Sequence, residues 1–432
     1  MTRKVSVTER RGRLVERHRL DALGLTADSA ASTDSVAGVT SSLVALHATD
    51  PVTVYLSARA RSGCTAQDVD TALYAERSVV RMLGMRRTVF VVPAELGGVV
   101  QAACTDDVAK RMRRGLEKDL AGGGIGDGDP GGWLRSVEDG VLRALAARGG
   151  GAFGAQLGDD EPRLRTQLTY APDKSYGGTQ NITSRVLILI AAEGRMIRGH
   201  RRGGWSSGQF EWWLPEAWLR RDDGGGGGPS EGVATAGPAA TAGGGGAGVS
   251  GDSIGAGLDA SAARAELARR WLTAFGPAPA ADLQWWAGWT GAQTKAALGA
   301  LPLTEVDLDG QPGVVLADDL EFPADAPPVA ALLPALDPTP MGWQSRSWYL
   351  GPHAATLFDR TGNIGPTVWW AGRVVGGWAQ RASGEVTCRL LEDIGADGAA
   401  AVAAQAATLE AWLGPARVTP RFRTPLEREL VS

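Results

Sequence analysis

Between residues 262 and 316 three helix-length segments run straight into a two-strand hairpin, an order that few folds accommodate in so short a span. Ala262 to Phe275 places Leu267, Trp271, Leu272 and Phe275 on one side and is stopped by Gly276-Pro277, because proline cannot continue a helix. Ala281 to Trp289 aligns Leu283, Trp286 and Ala287, and Thr290 stands where it can cap a third helix from Gly291 to Leu301. Thr304 to Leu308 and Gly313 to Leu316 then flank Asp309-Gly310, a dipeptide that tolerates the positive φ angles of a tight hairpin turn. Three helices and a hairpin read as a winged helix, with the short second link typical of a helix-turn-helix.

The same order recurs upstream. Arg10 to Leu23, Ser35 to Leu46 and Val52 to Arg61 form one helix set, followed by a strand at Thr88 to Val92. Trp133 to Ala147, a helix starting at Gly154, and Thr183 to Glu193 form another, followed by strands at Met196 to Arg198 and Gln209 to Leu214. After Val329 the pattern changes. Thr367 to Trp370 and Arg373 to Trp378 flank Ala371-Gly372 as a hairpin, Glu385 to Leu391 adds a strand, and Asp397 to Leu413 is an Ala-rich helix. Trp343, Trp348, Trp369, Trp370 and Trp378 suit the core of this section, since aromatic rings bring large buried area. The expected fold is α+β and helix-rich: winged-helix units over residues 1–121, 132–221 and 263–322, and a C-terminal β-rich α+β domain over residues 329–432. Residues 222–262, dominated by Gly, Ala, Ser and Thr, read as a flexible linker, having too little apolar surface to offset the entropy of ordering.

A chain of 432 residues has volume for a buried core without disulfide or metal staples. Cys64, Cys104 and Cys388 form no C-x-x-C pair, and His18, His47, His200 and His353 have no ligand spacing, so a zinc site is not expected, and a reducing compartment is. The Arg-rich N-terminus lacks an apolar signal segment and no run approaches membrane-spanning length. The net charge of -4 conceals a split. Residues 1–221 hold 31 Lys+Arg against 25 Asp+Glu, whereas the rest hold 13 against 23, so the first half is the better candidate for contact with a polyanion.

Motifs for a nucleophilic serine, a zinc protease or a P-loop are absent. Polar groups do gather after the apolar Leu43-Val44-Ala45-Leu46, at His47-Ala48-Thr49-Asp50-Pro51. If this segment is extended, His47 and Thr49 share a face. Asp50 before Pro51 also reads as an N-cap with proline in the first helical position. His47 fits equally a buried, hydrogen-bonded structural histidine.

Three stretches carry a family likeness: Leu46-His47-Ala48-Thr49-Asp50-Pro51; Val79 to Pro93, with Arg86 and Thr88 ahead of a strand; and Leu332-Leu333-Pro334-Ala335-Leu336-Asp337-Pro338. They resemble the signature stretches of the winged-helix DNA glycosylases related to AlkZ and YcaQ. The resemblance implies tandem winged helices around a DNA channel, a monofunctional hydrolase that excises alkylated purines (N7-alkylguanine, N3-alkyladenine, bulky adducts or crosslinks), no cofactor, and double-stranded DNA as partner. It also implies a cytoplasmic, nucleoid-associated monomer. The family's Gln-Φ-Gln or Gln-Φ-Asp motif, Φ being apolar, falls on His47-Ala48-Thr49, where neither polar position matches, and its Arg-x-Thr pattern falls on Arg86 and Thr88.

On that reading His47, Thr49 and Asp50 are the catalytic candidates. A purine alkylated at N7 or N3 already carries positive charge, so the enzyme need only place water and stabilise a cationic sugar. The DNA-contact candidates are Arg86, Thr88, Tyr176 in a glycine-rich turn, Arg198, and the basic hairpin tip His200-Arg201-Arg202-Gly203-Gly204-Trp205, where arginine can reach phosphate. A solvated hairpin tip and a simple turn at Tyr176 remain open alternatives. So does a non-catalytic winged-helix protein that senses or shields damaged DNA.

Overall fold

The computed structural model describes residues 3–22, 35–170, 178–219, 257–323 and 325–432. Tyr176 and most of the glycine-rich segment, residues 220–256, lie outside them. The chain is helix-rich α+β, with small sheets set among many helices. In chain order the strands are β1 (Arg3–Lys4), β2 (Leu46–His47), β3 (Val79–Leu83), β4 (Val89–Pro93), β5 (Gly151–Phe153), β6 (Gln167–Tyr170), β7 (Gly178–Asn181), β8 (Ile197–Arg201), β9 (Phe210–Trp213), β10 (Leu303–Leu308), β11 (Gln311–Leu316), β12 (Ala330–Leu333), β13 (Thr367–Trp370), β14 (Arg373–Gln380) and β15 (Val386–Leu390). They pair as β2-β4-β3, β5-β9-β8, β6-β7, β1-β10-β11 and β12-β13-β14-β15.

The set that follows the glycine-rich segment forms as its residues dictate. Helices Ala260–Phe275, Ala280–Ala287 and Gly291–Gly299 lead into β10 and β11. Gly288 ends the second helix in the left-handed conformation, and Thr290 caps the third reciprocally with Gln293. Asp309 and Gly310 make the hairpin turn at φ 53° and 89°. The first helix now begins at Ala260, inside the stretch expected to be linker.

Near the N-terminus the boundaries move. The first helix is Val7–Arg17, because Ser6 and Glu9 cap each other, at 3.1 Å and 2.8 Å, three residues before the expected start. The second ends at Ser42: Val44 takes φ 65°, which stops the helix, and Leu46-His47 becomes β2, an edge paired with Val91 and Phe90. Leu46 is therefore a strand residue. Strand β3, inside one family-like stretch, and β12, which runs into another, complete sheets that local periodicity does not reveal.

Packing crosses the sequence order. β1 pairs in parallel with β10, Arg3 opposite Val306, which ties the start of the chain to residue 300 and beyond. One apolar core joins Leu14, Val92 and Val100 with Leu267, Trp271 and Phe275 and with Trp343, Tyr349 and Trp369. A separate core holds the second set together, and Leu116 and Leu120 of the Asp106–Gly122 helix belong to it. Trp343, Trp348, Trp369 and Trp378 are buried and Trp370 is half-buried. Each fully buried side chain of this kind stabilises the fold by roughly 2 to 3 kcal/mol.

Candidate functional site

A cleft of about 850 Å³ opens where four segments converge. The turn from β2 into the Pro51–Arg59 helix supplies Ala48, Thr49 and Asp50; the end of β5 supplies Phe153; the β8–β9 hairpin supplies Arg198, Arg202, Gln209 and Phe210; and the coil before the last helix supplies Arg417, Thr419 and Arg421. Four guanidinium groups thus line the cleft, and Asp50 is the one carboxylate among its described lining residues. Such a concentration of positive charge suits a polyanion, and the single carboxylate is placed to feel any cation that forms there.

Asp50 is held rigidly. It is the N-cap of the Pro51–Arg59 helix, with Oδ1 accepting from the Val52 N–H at 3.2 Å and Pro51 in the first helical position. Oδ2 accepts from the Arg421 N–H at 3.2 Å, so the cap is also tied to the C-terminal coil. A carboxylate has about four acceptor sites, and these two bonds leave lone pairs for a water or a substrate. Behind Asp50, the Thr53 hydroxyl donates to the Ala335 carbonyl at 2.9 Å, which seats the helix on the Leu332-to-Pro338 stretch.

His47 is not part of the cleft lining. Its ring is buried against Phe90 at 5.4 Å, and among the described residues its Nδ1 has no hydrogen-bond partner. Burial, reinforced by the Arg86 charge, pulls its pKa down to about 3, so the imidazole is neutral at physiological pH. Because β2 ends at His47 and the chain turns immediately, His47 and Thr49 do not share a face as an extended segment would have them.

Arg86 and Thr88 also stand outside the cleft. Arg86 sits at φ 54° in the β3–β4 turn with its guanidinium 3.9 Å from the Trp285 ring, and Arg346 lies 4.9 Å from the same ring. Burial and Arg346 lower the Arg86 pKa to about 10. Thr88 is half-buried beside it.

The basic hairpin divides. Arg202 is exposed in the cleft, 4.0 Å over Phe153, and Arg198, 5.2 Å from the Trp212 ring, lines the cleft as well. Arg201 is committed inward: its guanidinium grips both oxygens of Asp70 at 2.7 Å and bonds the Tyr55 hydroxyl. His200 packs on Tyr74 and Trp218, at 5.2 and 5.0 Å, and Trp205 on Tyr55 and Trp412, at 5.2 and 5.7 Å. The hairpin is therefore docked on the body along one edge and presents only the other to the cleft. Gly178 to Asn181, expected as a phosphate-binding turn with Tyr176, forms β7 in a two-stranded ribbon with β6.

A model of the AlkZ-like DNA glycosylases matches residues 40–412. The chain belongs to the AlkZ-like DNA glycosylase family. Its fold is similar to that of the Streptomyces sahachiroi DNA glycosylase AlkZ, with a TM-score of 0.63 over 94% of this chain and 97% of that one, at 18% sequence identity. A search of curated proteins gives no match.

In this AlkZ-like chain the cleft includes two cations that the sequence did not single out, Arg417 and Arg421, both from the acidic half. Arg417 donates to the carbonyls of Ala382, Ser383, Gly414 and Ala416, which fixes the coil that carries Arg421. Arg421 also borders a second groove of about 500 Å³ with Arg360, Arg423 and Arg428. Asp359, the acid in that groove, is absorbed by its own turn, accepting from Thr361 and Asn363 at 2.8 to 2.9 Å. The Arg421-Phe422-Arg423 run was the available signal.

Proposed function

We propose that the chain hydrolyses the N-glycosidic bond of alkylated purines, N7-alkylguanine and N3-alkyladenine, in double-stranded DNA, bulky adducts or crosslinks included, as a monomer without metal or other cofactor. The observation that carries this reading is the lone carboxylate of Asp50 in a cleft lined by four arginines. Arg202 and Arg421 hold phosphates, and Arg198 and Arg417 add positive charge to the walls. As the bond from C1′ to the cationic purine breaks, positive charge builds on the sugar, and Asp50 stabilises it electrostatically. Thr49 and Asp50 hold the water that adds to C1′, and its proton passes to Asp50 or to solvent; the neutral purine leaves and an abasic site remains. A free amine poised to form a Schiff base is not among the cleft residues, so no strand scission follows. The three helix-and-hairpin sets act as winged helices that cradle the duplex, in a protein of the cytoplasm and nucleoid.

The test is incubation of duplex carrying N7-methylguanine with the protein, followed by alkali. Cleavage at the modified base is the expected result, and intact strands reject catalysis. A second reading, a non-catalytic protein that senses or shields damaged DNA, is favoured by His47-Ala48-Thr49 standing where the family has Gln-Φ-Gln or Gln-Φ-Asp and by the withdrawal of His47 from the cleft. It predicts tight binding of the same duplex with no base released.

A further inference from the structure

Behind the cleft wall, where β3 meets β8, lies a cavity of about 30 Å³. Its polar lining is unusual: Arg81, Arg198 and Gln101, with apolar side chains such as Met82, Ile188 and Trp212 around them. Arg81 is only 4% exposed. Its guanidinium stacks 4.2 Å over Phe210, yet among the described residues no acceptor reaches any of its three nitrogens.

Among the described residues the charge there is not balanced. Asp70 is the carboxylate that acts on Arg81, but it is already forked to Arg201 at 2.7 Å and accepts the Tyr55 hydroxyl at 2.5 Å. Arg81 and Arg201 therefore share one carboxylate, and Arg198 sets a further positive charge beside Arg81. Arginine does not escape by losing its proton, and an uncompensated buried charge costs several kcal/mol. Gln101 adds no charge to balance it: its amide nitrogen donates to the Asp106 carboxylate and the Ala192 carbonyl at 2.7 and 2.8 Å, and its amide oxygen is a neutral acceptor.

We infer that a single halide ion, chloride in the cell, binds between Arg81 and Arg198. The volume decides the class of anion: it holds one occupant of about water size or slightly larger and excludes phosphate or sulfate. Water fits sterically but carries no charge and accepts only two hydrogen bonds. The halide ties β3 to the β8–β9 hairpin, and because Arg198 lines both the cavity and the cleft, it anchors one wall of the cleft from behind.

The experiment needs no DNA, so its outcome is independent of the glycosylase reading. The full chain is melted in sodium chloride, sodium bromide and sodium gluconate at equal ionic strength, and crystals are grown in bromide. Expected are a saturable rise in Tm in chloride and bromide over gluconate, as for any ligand of the folded state, and an anomalous peak between the two guanidiniums. Arg81→Met abolishes the halide-dependent rise. Should that variant fail to fold, Arg198→Gln decides, weakening the apparent halide constant at least tenfold. Equal melting in the three salts, an absent bromide peak, or an unchanged halide constant in Arg198→Gln overturns the inference and leaves the cavity to water.

Discussion

Arg61 and Asp337, 276 residues apart, meet as a bidentate ion pair with neither side chain exposed, Nη1 to Oδ2 at 2.9 Å and Nη2 to Oδ1 at 2.6 Å. Every donor of the guanidinium is used, the others going to the His18 and Ser57 carbonyls and the Thr339 hydroxyl. Asp337 accepts in addition from Ser57 Oγ at 2.7 Å and from the Thr339 N–H at 2.9 Å, which it caps. The pair fastens the C-terminal end of the helix that Asp50 caps to the C-terminal section. A buried pair is stable only when its remaining hydrogen-bonding capacity is met, and here it is.

Asp337→Ala is therefore expected to destabilise the chain by about 3 to 5 kcal/mol, because it strands a buried guanidinium. Urea unfolding measures this. Arg61→Met combined with Asp337→Leu should recover much of the loss, and a double variant no better than Asp337→Ala would show that the pair does more than neutralise itself.

What was legible in the sequence was local. Asp309-Gly310 announces its hairpin because the turn demands positive φ from two adjacent residues, and Asp50-Pro51 announces a helix start because capping is settled within three residues. The family-like stretches marked residues that later prove structural, Asp337 foremost. Partners far along the chain leave no such trace. That Arg201 turns to Asp70 while Arg202 faces the cleft, that β1 joins β10, and that Arg421 reaches Asp50 are decided by packing between segments 131 to 371 residues apart, and neighbouring residues in one basic run can receive opposite assignments.

Acid should weaken the protein through its buried histidines. His18, held neutral between the Thr339 hydroxyl and the Ala274 carbonyl, and His47 both have pKa values lowered by burial to about 3 from 6.5. The unfolded chain binds their protons first, so their stabilisation is complete above pH 6.5 and is lost as pH falls from there toward 3, at about 1.4 kcal/mol per pH unit for each. Glu427, pushed up to about 7 by burial, acts in the opposite sense. Comparing wild type with His47→Gln cancels that contribution: the stability difference between them should shift in favour of the variant by about one pH-unit increment for every unit below 6.5. A pH-independent difference would mean that His47 titrates normally.

DNA affinity should depend on arginines from both halves of the chain. Arg202→Gln and Arg421→Gln should each weaken duplex binding for all sequences and reduce the slope of log K against log salt by about 1. Arg360→Gln with Arg428→Gln should act only on duplexes long enough to reach the second groove. Arg201→Gln should instead lower Tm, since it breaks the fork to Asp70. Fluorescence anisotropy over a salt series separates these cases, and an Arg201 variant with normal Tm and a shallower slope would place that residue on the DNA after all.

Catalysis should follow the carboxylate in the cleft and not the histidine outside it. Asp50→Asn keeps an oxygen for the Val52 N–H and removes the negative charge, while its amide faces the Arg421 N–H, so a small fall in Tm is expected. Single-turnover release of N7-methylguanine should drop more than tenfold, at least about 1.4 kcal/mol of transition-state stabilisation, with duplex binding equal or tighter because a like charge to phosphate is gone. Thr49→Val should lower the rate less, through poorer placement of water. His47→Gln, which supplies the residue type the family motif carries, should leave the rate within a few-fold. The reverse ranking, with Asp50→Asn near wild type and His47→Gln strongly altered, would move the chemistry to the buried side of β2 and require that side to open when DNA binds.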